Sequence, residues 1–407
     1  MTAYHARAIV LAAILVGMAL VPSTRLQAQH RLDEMRARAE QGDDFAQWFL
    51  GWSYERGEVD LPRDEAEAVR WYRLAADQGN ADAQVNLGDM YADGRGVPED
   101  DTEAVRWYRL AAEQGHASAQ SSLGFMYSLG DGVPQDEAEA IRWYRLAADQ
   151  GDARAQTGLA GMYAFGRGVP QDDVEAVHWW RLAADQGYAP AQFFLGRMYV
   201  NGRGVPENDE EALRWSRLAA DQGFADAQND LGDRYASGRG VPQDDAEATE
   251  WYRLAADQGS DVAQSNIGFM FMTGRGVSQD EAEAARWFRL AADQRNADAQ
   301  TFLGFVYFDG LGLPQDYAKA LRWFRLAADQ GEPDAQYNLG LMRENGQGAP
   351  QDSVEAHMWL NLAAAQSSGA RRDAFAKARE LVAEGMTAEQ ITEAQSRARE
   401  WTPTPEP

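Results

Sequence analysis

The side chains that could carry out chemistry are few, and the familiar catalytic motifs are missing. The chain has no cysteine, which excludes thiol nucleophiles, disulfides and cysteine-ligated zinc. The motifs Gly-x-Ser-x-Gly, Ser-x-x-Lys, His-Glu-x-x-His and Gly-x-x-x-x-Gly-Lys, which indicate hydrolases, metalloproteases and phosphate-binding loops, do not occur. The sequence therefore predicts no catalytic residue, no cofactor and a protein that is not an enzyme.

Histidines and paired aspartates remain as candidates for metal binding. The histidines after the N-terminal segment are His30, His116, His178 and His357. They are too far apart in sequence to form a local metal motif, and we expect solvated side chains. Pairs such as Asp100-Asp101 lack the alternating aspartates and the glycine of a calcium loop, so helix capping is the simpler explanation. No metal site is predicted.

The dominant pattern in the chain is a tryptophan every 36 residues. It occurs at Trp71, Trp107, Trp143, Trp179, Trp215, Trp251, Trp287, Trp323 and Trp359. One unit is thus copied about nine times, which is typical of a solenoid. A residue present in every copy belongs to the scaffold, because a catalytic residue is needed once. Function is therefore to be sought in what differs between copies.

Each copy predicts two helices joined by a short loop. In the second copy, the apolar residues of 83–91 follow the period of an amphipathic helix. Two glycines and a proline in the segment 94–98 end that helix. Asp100, followed three residues later by Glu103, predicts a capping box at the start of the second helix.

Small residues at fixed places predict close packing of these helices. Gly88 and the pair Ala111-Ala112 let helix backbones approach, and Trp107 fills the space between repeats. One helical hairpin cannot bury its apolar face alone, so stability must come from stacking of neighbouring copies.

The unit AQ-x-x-LG-x-MY-x-x-G-x-GVPQD-x-x-EA-x-x-WYRLAADQG resembles the Sel1-like repeat, a relative of the tetratricopeptide repeat, over residues 43–367. The resemblance implies an all-α fold. This fold is a right-handed α-solenoid (superhelix) of about nine 36-residue helix-turn-helix repeats with helical caps and a concave inner face. The resemblance also implies a role in assembling other proteins, and secreted bacterial members act as envelope scaffolds or host-interaction factors.

Comparison of the copies with one another shows where the chain varies. In the first helix, the positions equivalent to 82, 86, 89 and 93 vary freely, and their spacing places them on one helical face. We call this face the first-helix stripe; the resemblance puts it on the concave side. It is rich in aspartate and phenylalanine. The residues predicted to bind a partner are Phe125, Phe165, Phe194, Arg197, Phe269, Phe302, Phe305, Asp298 and Asp309.

The aromatic side chains of the stripe have two explanations. They form a recognition surface, where aromatic anchors dominate binding, or they fill gaps in the superhelix and pack on a cap. Phe302 and Phe305 together with Phe269 are the strongest candidates for recognition, because they lie in adjacent copies far from either end.

The first 28 residues differ from the rest of the chain. An apolar run at 8–21 follows a basic residue and precedes a small-residue cleavage site at 26–28. The run is short for a transmembrane helix but suits a signal peptide. The sequence therefore favours a periplasmic or secreted protein from which residues 1–28 are removed. An uncleaved anchor and a cytoplasmic location are the alternatives.

The rest of the chain divides into four parts. A lone cap helix is predicted at 29–42, followed by the repeats at 43–367. Two C-terminal cap helices are predicted at 368–401, and a proline-rich, loose tail at 402–407.

The net charge of −26, from 64 acidic and 38 basic residues, argues against a nucleic-acid partner. We expect a non-catalytic scaffold of the bacterial envelope or secreted space that binds a partner peptide or protein in the concave groove, with an envelope complex among the candidate partners. After signal cleavage it would have no membrane span. One alternative is a β-lactam-hydrolysing or penicillin-binding enzyme of the Sel1-like type, although such proteins are cysteine-rich. Another is a structural spacer between envelope components.

N-terminal sequencing of the protein from its native cell is expected to begin near Gln29. The apolar run at 8–21 is too short to hold the chain comfortably in a bilayer, so export should end in cleavage after residue 28. A mature protein that begins at Met1 and stays in the cytoplasm would contradict this expectation.

Overall fold

The computed structural model describes residues 32–58 and 61–404. The predicted signal peptide at 1–28 lies outside the described residues. The chain divides into two compact units, Met1–Glu207 and Asn208–Pro407. The described residues form helices and no strand.

In the first unit the helices are α1 (32–40), α2 (Asp44–Arg56), α3 (Glu65–Asp77), α4 (Ala81–Ala92), α5 (Asp101–Glu113), α6 (Ala117–Leu129), α7 (Glu137–Ala148), α8 (Ala153–Phe165), α9 (Asp173–Asp185) and α10 (Ala189–Asn201). In the second they are α11 (Asp209–Asp221), α12 (Ala225–Ser237), α13 (Asp245–Asp257), α14 (Asp261–Thr273), α15 (Glu281–Asp293), α16 (Ala297–Asp309), α17 (Tyr317–Asp329), α18 (Pro333–Asn345), α19 (Ser353–Ala365), α20 (Gly369–Ala383) and α21 (Ala388–Glu400). From α2 to α19, even numbers are the first helices of repeats and odd numbers the second helices.

Second helices begin with an aspartate cap, but the predicted capping box is wrong. The Asp100 carboxylate accepts a hydrogen bond from the Glu103 amide at 3.1 Å, as predicted. The second bond of a capping box, from the Asp100 amide to the Glu103 side chain, is absent, because the Asp100 amide donates to the Tyr91 carbonyl at 3.0 Å instead. The Glu103 carboxylate pairs with Arg106 instead, at 3.0 Å. Each cap thus also ties a second helix to the helix before it.

Glycines in the first helices allow aromatic rings to lie directly on the helix backbone. A Cβ atom added to Gly88 would stand 2.6 Å from the Tyr108 ring, and one added to Gly124 would stand 2.7 Å from the Tyr144 ring. No carbon atoms approach that closely without a shift, so any side chain here would push the two helices apart. The prediction that Gly88 permits close approach is confirmed.

The repeated tryptophans occupy buried or half-buried places. Those that are buried are Trp71, Trp107, Trp143, Trp215, Trp323 and Trp359, whereas Trp179, Trp251 and Trp287 are half-buried. Trp107 packs with Leu87 and Met90 of the preceding helix α4 and with Tyr72 of the repeat before. The prediction that tryptophan fills the space between repeats is confirmed.

A glutamine in each first helix links three consecutive helices. The Gln84 side chain donates to the Ala76 carbonyl of α3 at 3.1 Å and accepts from the Gln114 side chain of α5 at 2.8 Å. The same pair of bonds recurs with Gln120, which contacts Ala112 and Gln150. This explains why glutamine follows alanine in every copy.

Both ends of the repeats are covered by helices. Leu32 and Ala39 of α1 pack against Leu50 and Trp71, so α1 takes the place of a second helix before the first repeat. At the other end α20 and α21 both pack on α19. The capping box predicted at Thr387 and Gln390 is present.

The segment after α21 lies against the last repeats. Trp401 contacts Trp359 edge-to-face at 6.1 Å, and the Thr404 amide donates to the Asp329 carbonyl at 2.8 Å. Residues 402–404 belong to the predicted loose tail, so at least this part of the tail is held by a backbone hydrogen bond. Residues 405–407 lie outside the described residues.

One histidine expected to be solvated is buried. His357 is 3% exposed and stands in α19 where Leu321 stands in the preceding repeat. The expectation was wrong because this position of the second helix faces packed neighbours rather than solvent. Burial lowers the pKa of His357, and the nearby Arg379 lowers it further.

Replacement of Gly124 by alanine is expected to cost about 1–3 kcal/mol, because the new methyl group would overlap the Tyr144 ring. Gly161 is the matched control. It is also in the middle of a first helix, but no atom lies within 4 Å of its added Cβ. Gly161→Ala should therefore stabilise the protein by about 1 kcal/mol through helix propensity. Urea denaturation of the two variants would test this; equal effects would contradict it.

The packing of α20 and α21 on α19 is expected to weaken as the pH falls below 6.5. The pKa of His357 is lowered in the folded chain, so the unfolded chain binds the proton first and stability is lost toward acid. The loss is at most about 1.4 kcal/mol per pH unit. Hydrogen exchange in residues 353–400 at pH 7 and 5.5 measures it. His357→Leu should remove this dependence, and an unchanged dependence in that variant would rule out His357 as its source.

Candidate partner-binding surface

The buried sides of the first helices determine how the first-helix stripe is presented. In α16, Ala299, Leu303 and Val306 are fully buried. These three residues fix the rotation of the helix. Phe302 and Phe305, which lie between them in sequence, are therefore held at the boundary between core and solvent, where both are half-buried.

In the first unit the predicted residues do not form one cluster. Phe125 and Phe165 expose 52% and 67% of their surfaces, and within the described residues no ring contact links either to another aromatic side chain. Phe194 is half-buried and stacks on the Trp180 ring at 5.4 Å. Arg197 is exposed, with its guanidinium 5.8 Å from the centre of the Phe193 ring.

In the second unit the predicted phenylalanines come together. Phe269 and Phe302, from neighbouring first helices, are 5.8 Å apart between ring centres. Phe302 stacks on the buried Phe288 ring at 5.0 Å, and Phe305 meets the buried Phe324 ring edge-to-face at 5.1 Å. We call Phe269, Phe302 and Phe305 the phenylalanine cluster. Phe302 and Phe305 pack on the core from behind, so these two rings are held in place, and Phe269 lies against Phe302.

Most aspartates of the stripe already have partners within the chain. The pairs are Asp82 with His116, Asp89 with Tyr108, Asp93 with Arg95, Asp230 with Arg234, Asp233 with Tyr252 and Asp334 with Arg371. Burial raises the pKa of Asp89 and of Asp233, while the tyrosine hydroxyl that donates to each opposes the shift. For Asp298 and Asp309 no side-chain hydrogen bond or ion pair occurs within the described residues. Both are exposed and are therefore available to a partner.

Asp230 belongs to a buried group that replaces an aromatic contact. Ser216 stands where most second helices carry tyrosine, phenylalanine or tryptophan, and Arg234 where most first helices carry methionine. The Asp230 carboxylate accepts from the Ser216 hydroxyl at 2.7 Å and from Arg234 Nε at 2.8 Å. Arg234 is only 3% exposed, so this ion pair supports the fold rather than the recognition surface.

A cleft of about 530 Å³ opens where the first helices α14 and α16 begin. It is lined by Asp261, Val262, Gln294, Arg295, Asn296, Ala297, Asp298 and Gln330. Val262 and Asp298 are themselves stripe positions. Phe302 follows Asp298 by one helical turn, about 6 Å, and Phe269 follows Val262 by about two turns. The cleft and the phenylalanine cluster are thus neighbouring parts of one face.

Arg295 is the unusual residue of this cleft. Its φ is 72°, and it is the one non-glycine residue with positive φ among the described residues. Repeats 1–6 and 8 end at this point with glycine, as at Gly259 and Gly331, and the last repeat has Ser367 there. The left-handed conformation costs a residue with a side chain about 1–2 kcal/mol. Repeat 7 therefore carries an exposed arginine at a place where glycine would be more stable.

The sequence itself shows that Arg295 is an exception among the repeats. Glycine occupies this position of the turn in seven of the nine copies, the last copy has Ser367, and only repeat 7 has arginine there. Arg295 lies outside the first helices, whose varying positions define the stripe, so it was not among the predicted residues. The cleft itself could not be foreseen, because it depends on the spacing of two helices and the loop between them.

Other chemistry finds little support in the described part of the chain. No group of His, Cys, Asp and Glu side chains there could hold a metal ion. His116 caps α6 by accepting from the Ala119 amide at 3.4 Å. Its side chain is only 7% exposed, so the expectation of a solvated histidine was wrong here as well. His178 is exposed beside Trp179, as expected. No helix among the described residues is long and apolar enough to cross a membrane.

Stacked two-helix repeats define an α-solenoid protein. The model of the Sel1 repeat matches nine times without a gap, over residues 44–80, 81–116, 117–152, 153–188, 189–224, 225–260, 261–296, 297–332 and 333–368. The chain belongs to the Sel1 repeat family, and the predicted all-helical solenoid fold is confirmed. Sel1 repeat proteins generally mediate protein–protein interactions.

Solved structures include similar chains. A Sel1 repeat protein from Oxalobacter formigenes is 39% identical, with 76% of this chain and 89% of that chain covered and a TM-score of 0.55. A protective antigen present in uropathogenic Escherichia coli strains, which displays the SLR fold, is 34% identical over 92% of this chain and 87% of its own, with a TM-score of 0.48. An immunity protein from Pseudomonas aeruginosa is 26% identical over 52% and 80%, with a TM-score of 0.41. No curated protein matches the chain significantly.

Proposed function

We propose that this protein is a non-catalytic scaffold that binds a peptide segment of a partner protein on the first-helix stripe, at repeats 7 and 8. The phenylalanine cluster is the observation that carries the proposal. Three aromatic rings from two neighbouring helices reach the surface there. Phe302 and Phe305 are held from behind by Phe288 and Phe324, and Phe269 packs against Phe302. Rigid aromatic side chains lose little entropy on binding and are typical anchors of interfaces.

The charge around the cluster supports a partner that is apolar and basic. Asp298 and Asp309 lie on the same helix as Phe302 and Phe305, are exposed and have no internal partner within the described residues. A basic segment would neutralise them, and the net charge of −26 would draw such a segment from a distance. On the first unit, taken by itself, Arg197 and the exposed rings of Phe125 and Phe165 are the candidate contacts for a partner.

We further propose that the scaffold works in the bacterial periplasm or outside the cell. The support is the apolar run at 8–21 with its small-residue cleavage site. The partner would then be a protein of the envelope or of the secreted space.

Alanine at each of Phe269, Phe302 and Phe305 is expected to weaken partner binding by about 1–3 kcal/mol, mainly through faster dissociation. Asp298→Asn and Asp309→Asn should mainly slow association, and only at low ionic strength, because exposed charges act at long range and are screened by salt. The measurement is binding kinetics at two salt concentrations with a partner captured from the native cell.

Leu254→Ala and Leu290→Ala are the matched controls. These leucines are 47% and 50% exposed on second helices, so they remove similar apolar surface from another face. Circular dichroism of every variant checks folding, because Phe302 and Phe305 also contact buried rings. The proposal fails if the phenylalanine variants bind normally while the leucine variants lose the partner.

A further inference from the structure

We propose that Arg295 binds a carboxylate group of the partner segment and thereby fixes the register of that segment on the first-helix stripe. The inference rests on the proposed function, because it concerns a ligand that lies on the same face. It names Arg295 as the residue and a carboxylate as the group that it binds on the partner.

The position of Arg295 shows that packing does not explain it. At the equivalent glycines, such as Gly223 and Gly259, no atom lies within 4 Å of an added Cβ. A side chain here therefore points into open space and gains nothing from the core. The Arg295 amide still donates to Ala292 at 3.0 Å, as the Gly259 amide does to Ala256, so the backbone turn is the same with either residue. What arginine adds is a guanidinium group on the wall of the cleft.

Residue types that recur on the stripe create a need for such a group. Phenylalanine and aspartate recur along the first-helix stripe, although their exact positions differ between copies, and packed helices lie roughly 10 Å apart. An apolar, basic segment could shift by about three extended residues and meet a similar surface again. One cation at one repeat distinguishes between these alternative registers, because a carboxylate on the partner can pair with it in one register only.

The charges that line the cleft favour a carboxylate as the matching group. Arg295 is the one cationic residue in the lining, and a guanidinium matches a carboxylate with two parallel hydrogen bonds. Asp261 also lines the cleft but is engaged by the Asn296 side chain at 2.9 Å. Asp298 remains available for a basic residue of the same segment. The two aspartates would repel a doubly charged phosphate more strongly than a singly charged carboxylate.

An array of random octapeptides tests the proposal with the mature protein as the probe. Each peptide is made once with a free C-terminal acid and once as the C-terminal amide. Wild-type protein should select peptides that combine apolar and basic residues with one carboxylate. Selection of acids alone would identify the carboxylate as a chain terminus; selection of Asp or Glu in both formats would identify it as a side chain.

The variant Arg295→Gly is decisive because it introduces the residue that seven of the nine repeats carry and relieves the backbone. For the best peptide and its uncharged counterpart, wild-type protein should prefer the carboxylate by about tenfold in fluorescence anisotropy. Arg295→Gly should reduce this ratio to within about twofold and leave binding of the uncharged peptide unchanged. The double variant Arg295→Gly with Gly259→Arg has the same net charge as wild type and should not regain the preference, because the cleft and the cluster lie at repeats 7 and 8.

Failure of the inference can be told apart from failure of the proposed function. If Phe269→Ala weakens both peptides while Arg295→Gly keeps the tenfold ratio, the stripe binds its partner without Arg295 and the inference is wrong. The same conclusion follows if wild-type protein selects no carboxylate from the array. If alanine at Phe269, Phe302 and Phe305 changes nothing, the binding surface itself has been misplaced and both proposals fall.

Discussion

The structure depends on the contact between an aromatic ring and a bare helix backbone. The Tyr108 ring lies where a Cβ of Gly88 would stand, and the same contact joins Phe288 to Gly268 and Phe324 to Gly304. Because the ring cannot move inward, the distance between the two helices of a repeat is fixed. In repeats 7 and 8 these rings are also the ones that support Phe302 and Phe305, so the packing of the scaffold continues directly into the phenylalanine cluster.

Polar side chains adapt where a repeat departs from the common pattern. The third-residue glutamate of a second helix binds an arginine three positions later, as Glu103 binds Arg106. Where that arginine is replaced, the carboxylate accepts a hydrogen bond from the tryptophan indole instead. These pairs are Glu175 with Trp179, Glu247 with Trp251 and Glu355 with Trp359. Single substitutions are thus absorbed within one helix, and the repeat length does not change.

The sequence predicted the parts of the fold that repeat and missed those that occur once or depend on distant groups. The tryptophan interval, the close-approach glycines and the aspartate caps follow from local patterns. The failed capping box depends on the Tyr91 carbonyl, which comes from another helix. The aspartates of the stripe could not be sorted by sequence, because only folding shows that Asp230 pairs with buried Arg234 while Asp298 stays exposed. The phenylalanine cluster was foreseen as a group, but not its contacts with the core.

The open glycine turns give this family a low-risk way to acquire new specificities. At Gly79, Gly115, Gly151, Gly187, Gly223 and Gly259 a mutation adds a side chain that collides with nothing, so its penalty is confined to one strained torsion. The free-energy cost of one strained torsion is small compared with the summed stabilisation from the many interfaces between repeats. Tandem duplication of the gene segment multiplies these positions. Each copy can then vary independently, and Arg295 is a turn position of this kind that carries a side chain.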